Sequence, residues 1–252
     1  MKSLLIAALA GLTLIWAVPS FAIDLDALTD GERAAFRAEI RSYLLENPEV
    51  LMEAIAVLEQ RQAQSEAARD MDLVAANADL LFNSTTAWEG GNPDGDIVLV
   101  EFLDYRCGYC RRAFPEVEQL IEADGNIRLV IVEFPILGAQ SVLAARFALS
   151  ARILEGDESY KDIHDALMVM RADVTEDSLI RLADGLGFDG DAILAGMDDP
   201  GIDAVLEANY ALGQRLQISG TPSFVMGDQL LRGYLPYDTM VQLTEELRSA
   251  AN

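Results

Sequence analysis

An apolar run that stops just short of a cysteine pair is the feature that most constrains this chain. Ile97-Val98-Leu99-Val100-Glu101-Phe102-Leu103 is apolar at all but one position. Such a run suits a strand buried on both faces rather than one half-open to water. Cys107-Gly108-Tyr109-Cys110 follows directly, and Tyr109 to Ala123 has helical character, stopped by Asp124-Gly125-Asn126. A second apolar run, Ile127 to Val132, comes next. Strand, helix and strand in this order make a crossover with two parallel strands, so the chain is expected to be an α/β protein.

The placement of the cysteines says more than their spacing. Cys107 falls at a helix N-terminus, where free N–H groups and the helix dipole stabilise a thiolate. The thiolate is the nucleophile of disulfide exchange. Cys110 lies one turn deeper, within reach of the first sulfur and shielded from a substrate. One sulfur is thus placed to attack and the other to resolve. Arg106, Arg111 and Arg112 surround the pair and are expected to favour the thiolate. Zinc is a poor alternative, because a structural site takes four N or S ligands and only His164 is left to join the cysteines. An inert structural disulfide is another poor one, because so small a loop adds little stability. No metal site and no cofactor is expected.

Glu101 interrupts the apolar run six residues before Cys107. A buried carboxyl there has a raised pKa and is placed to exchange protons with Cys110. Thr221-Pro222 precedes another short strand, Ser223 to Met226, with a tight turn at Gly227-Asp228 and a return strand, Gln229 to Arg232. A cis bond before Pro222 would be a purposeful feature. His164, flanked by Asp162 and Asp165, reads as a surface or capped helix residue rather than a catalyst. Met168 and Met170 read as core.

The rest of the chain is organised around this unit. Met1-Lys2, the apolar run Leu4 to Val18 and the small residues before Ala22 have the layout of an export signal cleaved after Ala22. That run is shorter than the roughly 20 residues of a bilayer span. Residues 23–75 read as helices and linker: Thr29-Asp30-Gly31-Glu32 has capping-box spacing, and Phe36, Ile40, Tyr43 and Leu44 form an apolar face. Asn47-Pro48 is expected to cap and open a second helix whose face continues through Leu51, Ile55 and Leu58. Glu59 to Asp70 then favours helix with almost nothing to bury. One apolar stripe over so short a segment makes no core of its own, which points to self-association. Residues 76–252 form the second part: Trp88 to Asp96 reads as loop, and 138–217 as a largely helical insertion.

Charge narrows the partners. The chain of 252 residues carries a formal charge of −24, which opposes binding to nucleic acid or to an anionic membrane surface.

Strand–CxxC–helix, a helical insertion, Thr-Pro before a hairpin and a final helix together resemble the DsbA-type thioredoxin folds, over about residues 83–250. Gly91 to Asp96, Phe102 to Cys110 and Glu133-Phe134-Pro135-Ile136-Leu137-Gly138 are similar to that family, the last to the ScsC (suppressor of copper sensitivity C) branch. Ile40 to Ile55 is similar to the N-terminal helical domain of the same branch. The resemblance implies a thioredoxin fold with a helical insertion, preceded by an α-helical stalk. It makes Cys107 the attacking and Cys110 the resolving cysteine, Glu101 the buried acid, and Thr221 and Pro222 the cis-proline substrate platform beside Gly108 and Tyr109. Gly-Tyr between the cysteines and Thr before the proline are isomerase-like. A periplasmic, trimeric disulfide isomerase or reductase follows, kept reduced by a membrane thiol reductase and acting on misfolded or reduced exported proteins. The alternatives are a monomeric DsbA-like oxidase and a copper-binding or copper-protective protein using the same two thiols.

Overall fold

The computed structural model describes residues 28–251, so the export signal expected over 1–22 lies outside the described residues. Contacts divide the chain into two units, Met1–Gln60 and Arg61–Asn252.

In the first unit, α1 (Asp30–Glu46) opens with the expected capping box. Glu32 N–H donates to Thr29 Oγ1 at 3.4 Å, and Thr29 N–H donates back to the Glu32 carboxylate at 2.9 Å. Asn47 does not cap the next helix. Its backbone N–H and side-chain amide both donate to the Tyr43 carbonyl, at 2.8 and 2.9 Å, so it closes α1 instead. Pro48 sits in the turn before α2 (Glu49–Ala76), where its missing N–H costs nothing. No residue of α1 is buried, and Phe36, Ile40, Tyr43, Leu51, Ile55 and Leu58 are all exposed.

α2 is one unbroken helix, and the unit division falls inside it, upstream of the boundary at 75/76 read from sequence. The reason is packing within the second unit. Val74 is buried there, and the Asp70 carboxylate takes two bonds from the Arg232 guanidinium, that to Oδ1 at 2.9 Å. α3 (Ala78–Phe82) follows.

The second unit is built on a sheet ordered β1-β3-β2-β4-β5. β2 (Ile97–Leu103) and β3 (Ile127–Glu133) are parallel, joined through α4 (Gly108–Asp124), as the sequence pattern requires. The stretch read as loop holds β1 (Trp88–Gly91), antiparallel to β3. β1 is legible only through that partner, because its two glycines suppress strand character. They are needed there: a Cβ on Gly90 would meet the Trp88 ring at 2.3 Å, and Gly91 has φ +69°. β4 (Ser223–Met226) pairs with β2, and β5 (Gln229–Arg232) with β4, both antiparallel.

Alternation along β2 builds two cores. Leu99 and Leu103 join Ala113, Val117 and Leu120 of α4, while Val100 and Phe102 join Val74, Leu81 and Leu212 on the other face. Glu101 shares the first face, beneath α4. Five helices fill the insertion: α5 (Ala139–Glu155), α6 (Asp157–Val169), α7 (Glu176–Leu186), α8 (Gly190–Gly196) and α9 (Pro200–Arg215). α10 (Tyr237–Ala251) completes the unit.

Gly213 of α9 lies against the Phe134 ring, 2.5 Å from where a Cβ would stand. Gly213→Ala is therefore expected to destabilise the protein by about 1–3 kcal/mol through overpacking, read as a lower midpoint in urea denaturation.

Candidate active site

The end of β2 delivers the chain to α4 through Asp104-Tyr105-Arg106. Asp104 is buried and shapes this passage: one carboxylate oxygen accepts the N–H of Arg106 at 2.8 Å, and the other accepts those of Ile136 and Leu137 at 2.8 and 2.9 Å. Cys107 then caps α4, its sulfur accepting the Cys110 N–H at 3.4 Å. The same sulfur lies 3.1 Å from the Thr221 carbonyl, to which its thiol donates. The Thr221–Pro222 peptide bond is cis. The Cys107 sulfur thus touches both the Cys110 N–H and the carbonyl of Thr221, the residue joined to Pro222 by the cis bond. Both cysteines are free thiols. Gly108 and Tyr109 stand exposed on the first turn, Tyr109 at 63%.

The two thiols are electrostatically opposite. The Cys107 pKa is lowered to about 5, chiefly by hydrogen bonding from the Cys110 side chain, with burial opposing and the backbone N–H groups of Cys110 and Tyr109 assisting. Cys110 is pushed far up by burial first, then by Cys107 and Glu101. The leading causes at Cys107 are hydrogen bonds rather than the neighbouring arginines, which have other partners. Arg111 Nε donates to the Tyr105 carbonyl at 2.7 Å, Arg112 lies 4.4 Å over the Tyr234 ring, and Arg106 reaches Asp173 at 3.5 Å.

Glu101 is 3% exposed, and its Oε1 has no hydrogen-bond partner. Burial pushes its pKa up to about 8, with Glu118 and Cys107 adding to the effect. It is therefore a neutral acid at pH 7, electrostatically coupled to both cysteines.

His164 is not at the surface. It is 3% exposed, stacked on Tyr160 and edge-on to Tyr105 and Phe114. Burial first, then Lys161, drives its pKa down to about 3, so it is neutral. Beside it lies Glu133, which the sequence reading did not single out. Tyr105 and Tyr160 each donate to its Oε1 at 2.6 Å, and Tyr105 OH also meets His164 Nδ1 at 3.0 Å. Burial raises Glu133 to about 7 against the two tyrosines. The signal was present: Glu133 ends an apolar run much as Glu101 interrupts one. The network holds Tyr105, and so the approach to Cys107.

A family model described as the DSBA-like thioredoxin domain matches residues 98–245. The chain belongs to the DsbA-like thioredoxin family. A second model, the copper resistance protein ScsC N-terminal domain, matches residues 32–65. Among solved structures, a thioredoxin-like oxidoreductase from Silicibacter pomeroyi is 42% identical, covering 68% of this chain and 97% of that one at a TM-score of 0.64. A linker-deletion mutant of Proteus mirabilis ScsC is 27% identical, covering 89% and 98% at a TM-score of 0.65. Disulfide bond formation protein D of Bacillus subtilis is 25% identical over 62% of this chain and 74% of its own length. The thioredoxin fold with a helical insertion, preceded by N-terminal helices, is the DsbA-like architecture of the ScsC branch, and the family is one of thiol–disulfide oxidoreductases.

Two measurements check these electrostatics. The ultraviolet absorbance of the Cys107 thiolate should be full at pH 7 and half lost near pH 5. Glu101 has a folded pKa above its ordinary 4.5, so its contribution to stability is complete below pH 4.5 and lost as pH rises through about 8. Glu101→Gln should remove that loss, leaving the variant more stable than the parent in denaturant at pH 8 and least different at pH 4.

Proposed function

We propose that this chain is an exported, oligomeric thiol–disulfide isomerase or reductase acting on misbridged proteins. The observation that carries the reading is the Cys107 sulfur, poised as a thiolate at the start of α4 and pressed against the Thr221–Pro222 turn, with Cys110 shielded behind it.

The Cys107 thiolate attacks one sulfur of a client disulfide. The client S–S bond breaks, a Cys107–client bond forms, and the other client sulfur leaves as a thiolate. A second client thiolate then displaces Cys107, which reshuffles the bridge with no net redox change. Alternatively Cys110 attacks Cys107, forming the Cys107–Cys110 disulfide and releasing a reduced client. Cys110 is a thiol at neutral pH and must lose its proton to attack. Glu101, once ionised, is the acceptor that its burial and coupling to Cys110 favour. A membrane thiol reductase would return the two electrons. The Thr221–Pro222 turn, with Gly108 and Tyr109 opposite, would hold the client in an extended pose, like an added strand.

Isomerisation gains from several active sites facing one client. The exposed face of Phe36, Ile40 and Tyr43 in α1 and Leu51, Ile55 and Leu58 in α2 supports self-association, with a trimer favoured. The leader ending at Ala22 supports a periplasmic location. A net charge of −24 opposes any nucleic-acid partner.

One observation favours the oxidase alternative. A thiolate as stable as that of Cys107 favours the reduced pair, which makes its disulfide oxidising. Reactivation of scrambled ribonuclease separates the readings. The assay compares the mature chain with one lacking residues 23–60, a cut that spares Asp70 and Val74. Isomerisation by the mature chain, lost in the truncation and in Cys107→Ser, is expected. Rapid oxidation of reduced ribonuclease with no reshuffling would establish the oxidase instead. Reshuffling retained by Cys107→Ser would overturn the mechanism.

A further inference from the structure

A groove opens one helical turn along α4 from the attacking sulfur. Arg111, Phe114 and Pro115 of α4 face Met168, Val169 and Arg171 at the end of α6 across a groove of about 560 Å³. The Arg111 N–H bonds the Cys107 carbonyl at 3.1 Å, which fixes the groove to the active-site turn. Thr221 meets Cys107 through its carbonyl, from the loop before β4, and neither Thr221 nor Pro222 lines this groove.

The groove is apolar in its walls and short of negative charge. Val169 is 65% exposed. Arg111 spends Nε on the Tyr105 carbonyl, and one of its terminal nitrogens is buried with no partner. Burial first, then the nearby Arg106, press against its charge, with Asp104 and Cys107 in part offsetting them. Arg171 is exposed and forms no ion pair among the described residues. Several acids of the flanking segments have other partners: Asp173 pairs with Arg106 at 3.5 Å, Glu118 and Asp165 with Lys161 at 3.3 and 2.5 Å, and Asp104 accepts three backbone N–H groups. What the groove lacks is a carboxylate from outside.

We propose that this groove docks the polypeptide whose disulfide Cys107 attacks, and that it selects segments carrying an aspartate or glutamate next to an apolar side chain. This rests on the exchange reaction proposed above. The acidic residue would pair with Arg111 and Arg171, and its apolar neighbour would cover Phe114 and Val169. The chain's net charge of −24 does not forbid this. At physiological salt, fields fade over about 8 Å, so the arginines govern the approach at close range.

The test uses the full reduced chain and three probes in stopped-flow exchange. Hydroxyethyl disulfide is small and neutral, and reports exchange alone. Two mixed-disulfide peptides differ only in an Asp-Leu or a Lys-Leu pair beside the cysteine. With each rate divided by the same protein's rate for hydroxyethyl disulfide, the acidic peptide should react about tenfold faster than the basic one, since a charge-assisted bond is worth about that factor. The ratio should collapse at high salt and invert in Arg171→Glu, while Val169→Ser should slow both peptides. Equal rates for the two peptides, or a ratio unmoved by Arg171→Glu, would overturn the proposal. If hydroxyethyl disulfide fails to react, the exchange reading falls by itself. Fluorescence anisotropy of the acidic peptide with Ser for Cys then decides the groove: binding lost in Arg171→Glu sustains it, and no binding ends it.

Discussion

The Cys110 N–H donating to the Cys107 sulfur ties the chemistry to the fold. A helix start offers unsatisfied N–H groups whatever its sequence, and a sulfur in the capping position satisfies one of them best when charged. That bond exists only if β2 ends where it does and α4 begins at once, so the position of the nucleophile is a property of the β2–α4 junction. The junction is in turn clamped from three sides. Asp104 fastens it to the chain after β3, Tyr105 to Glu133 and His164, and the Thr221 carbonyl closes over the sulfur from the loop before β4. No single clamp belongs to the active site alone. Each also joins the sheet to the helical insertion or to its own next strand.

Besides Asp104, the buried carboxyls Glu133 and Glu101 near this junction differ in how they are satisfied. An ionised carboxylate taken out of water costs several kcal/mol unless hydrogen bonds replace the lost hydration. Glu133 receives two tyrosine hydroxyls and is raised only to about 7, which suits a structural anchor. Glu101 has an oxygen with no partner and is raised to about 8. A carboxyl left so poorly solvated is a poor anchor, but it is responsive to the charge of its neighbours. Forming a thiolate at Cys107 pushes its pKa up, and discharging that thiolate into a mixed disulfide relieves it. In the proposed exchange, Glu101 would therefore ionise more readily at the stage when Cys110 must lose its proton to attack.

Local order made much of this legible. Apolar runs gave β2 and β3, the cysteines sat where the strand gave way to helix, and Glu101 stood out against its run. What escaped depended on contacts between distant segments. β1 carries two glycines and is a strand only because β3 pairs with it. His164 looked solvated because aspartates flank it in sequence, yet its surroundings come from Tyr105 and Phe114 of distant segments as well as Tyr160 of its own helix. The late turns of α2 looked idle because the partner of Asp70 is Arg232, far along the chain. A proline before a strand marks the place of a possible cis bond but leaves the isomer to the fold.

The direction of the chemistry is a separate matter from its machinery. A stabilised Cys107 thiolate lowers the cost of being reduced, and on that ground the pair would pass its disulfide to clients. The same thiolate is also what an isomerase requires, since only the reduced form attacks a wrong bridge. The two outcomes differ in which state is replenished, and so in the partner that resets the pair. In the proposed oligomer, assembly would decide whether replenished sites act singly or together on one client. The exposed stripe of the N-terminal helices and the thiolate of the catalytic unit are accordingly two halves of one functional argument. In the proposed isomerase the thiolate would supply the reactivity, and the stripe would supply the means to bring several such thiolates to the same misbridged chain.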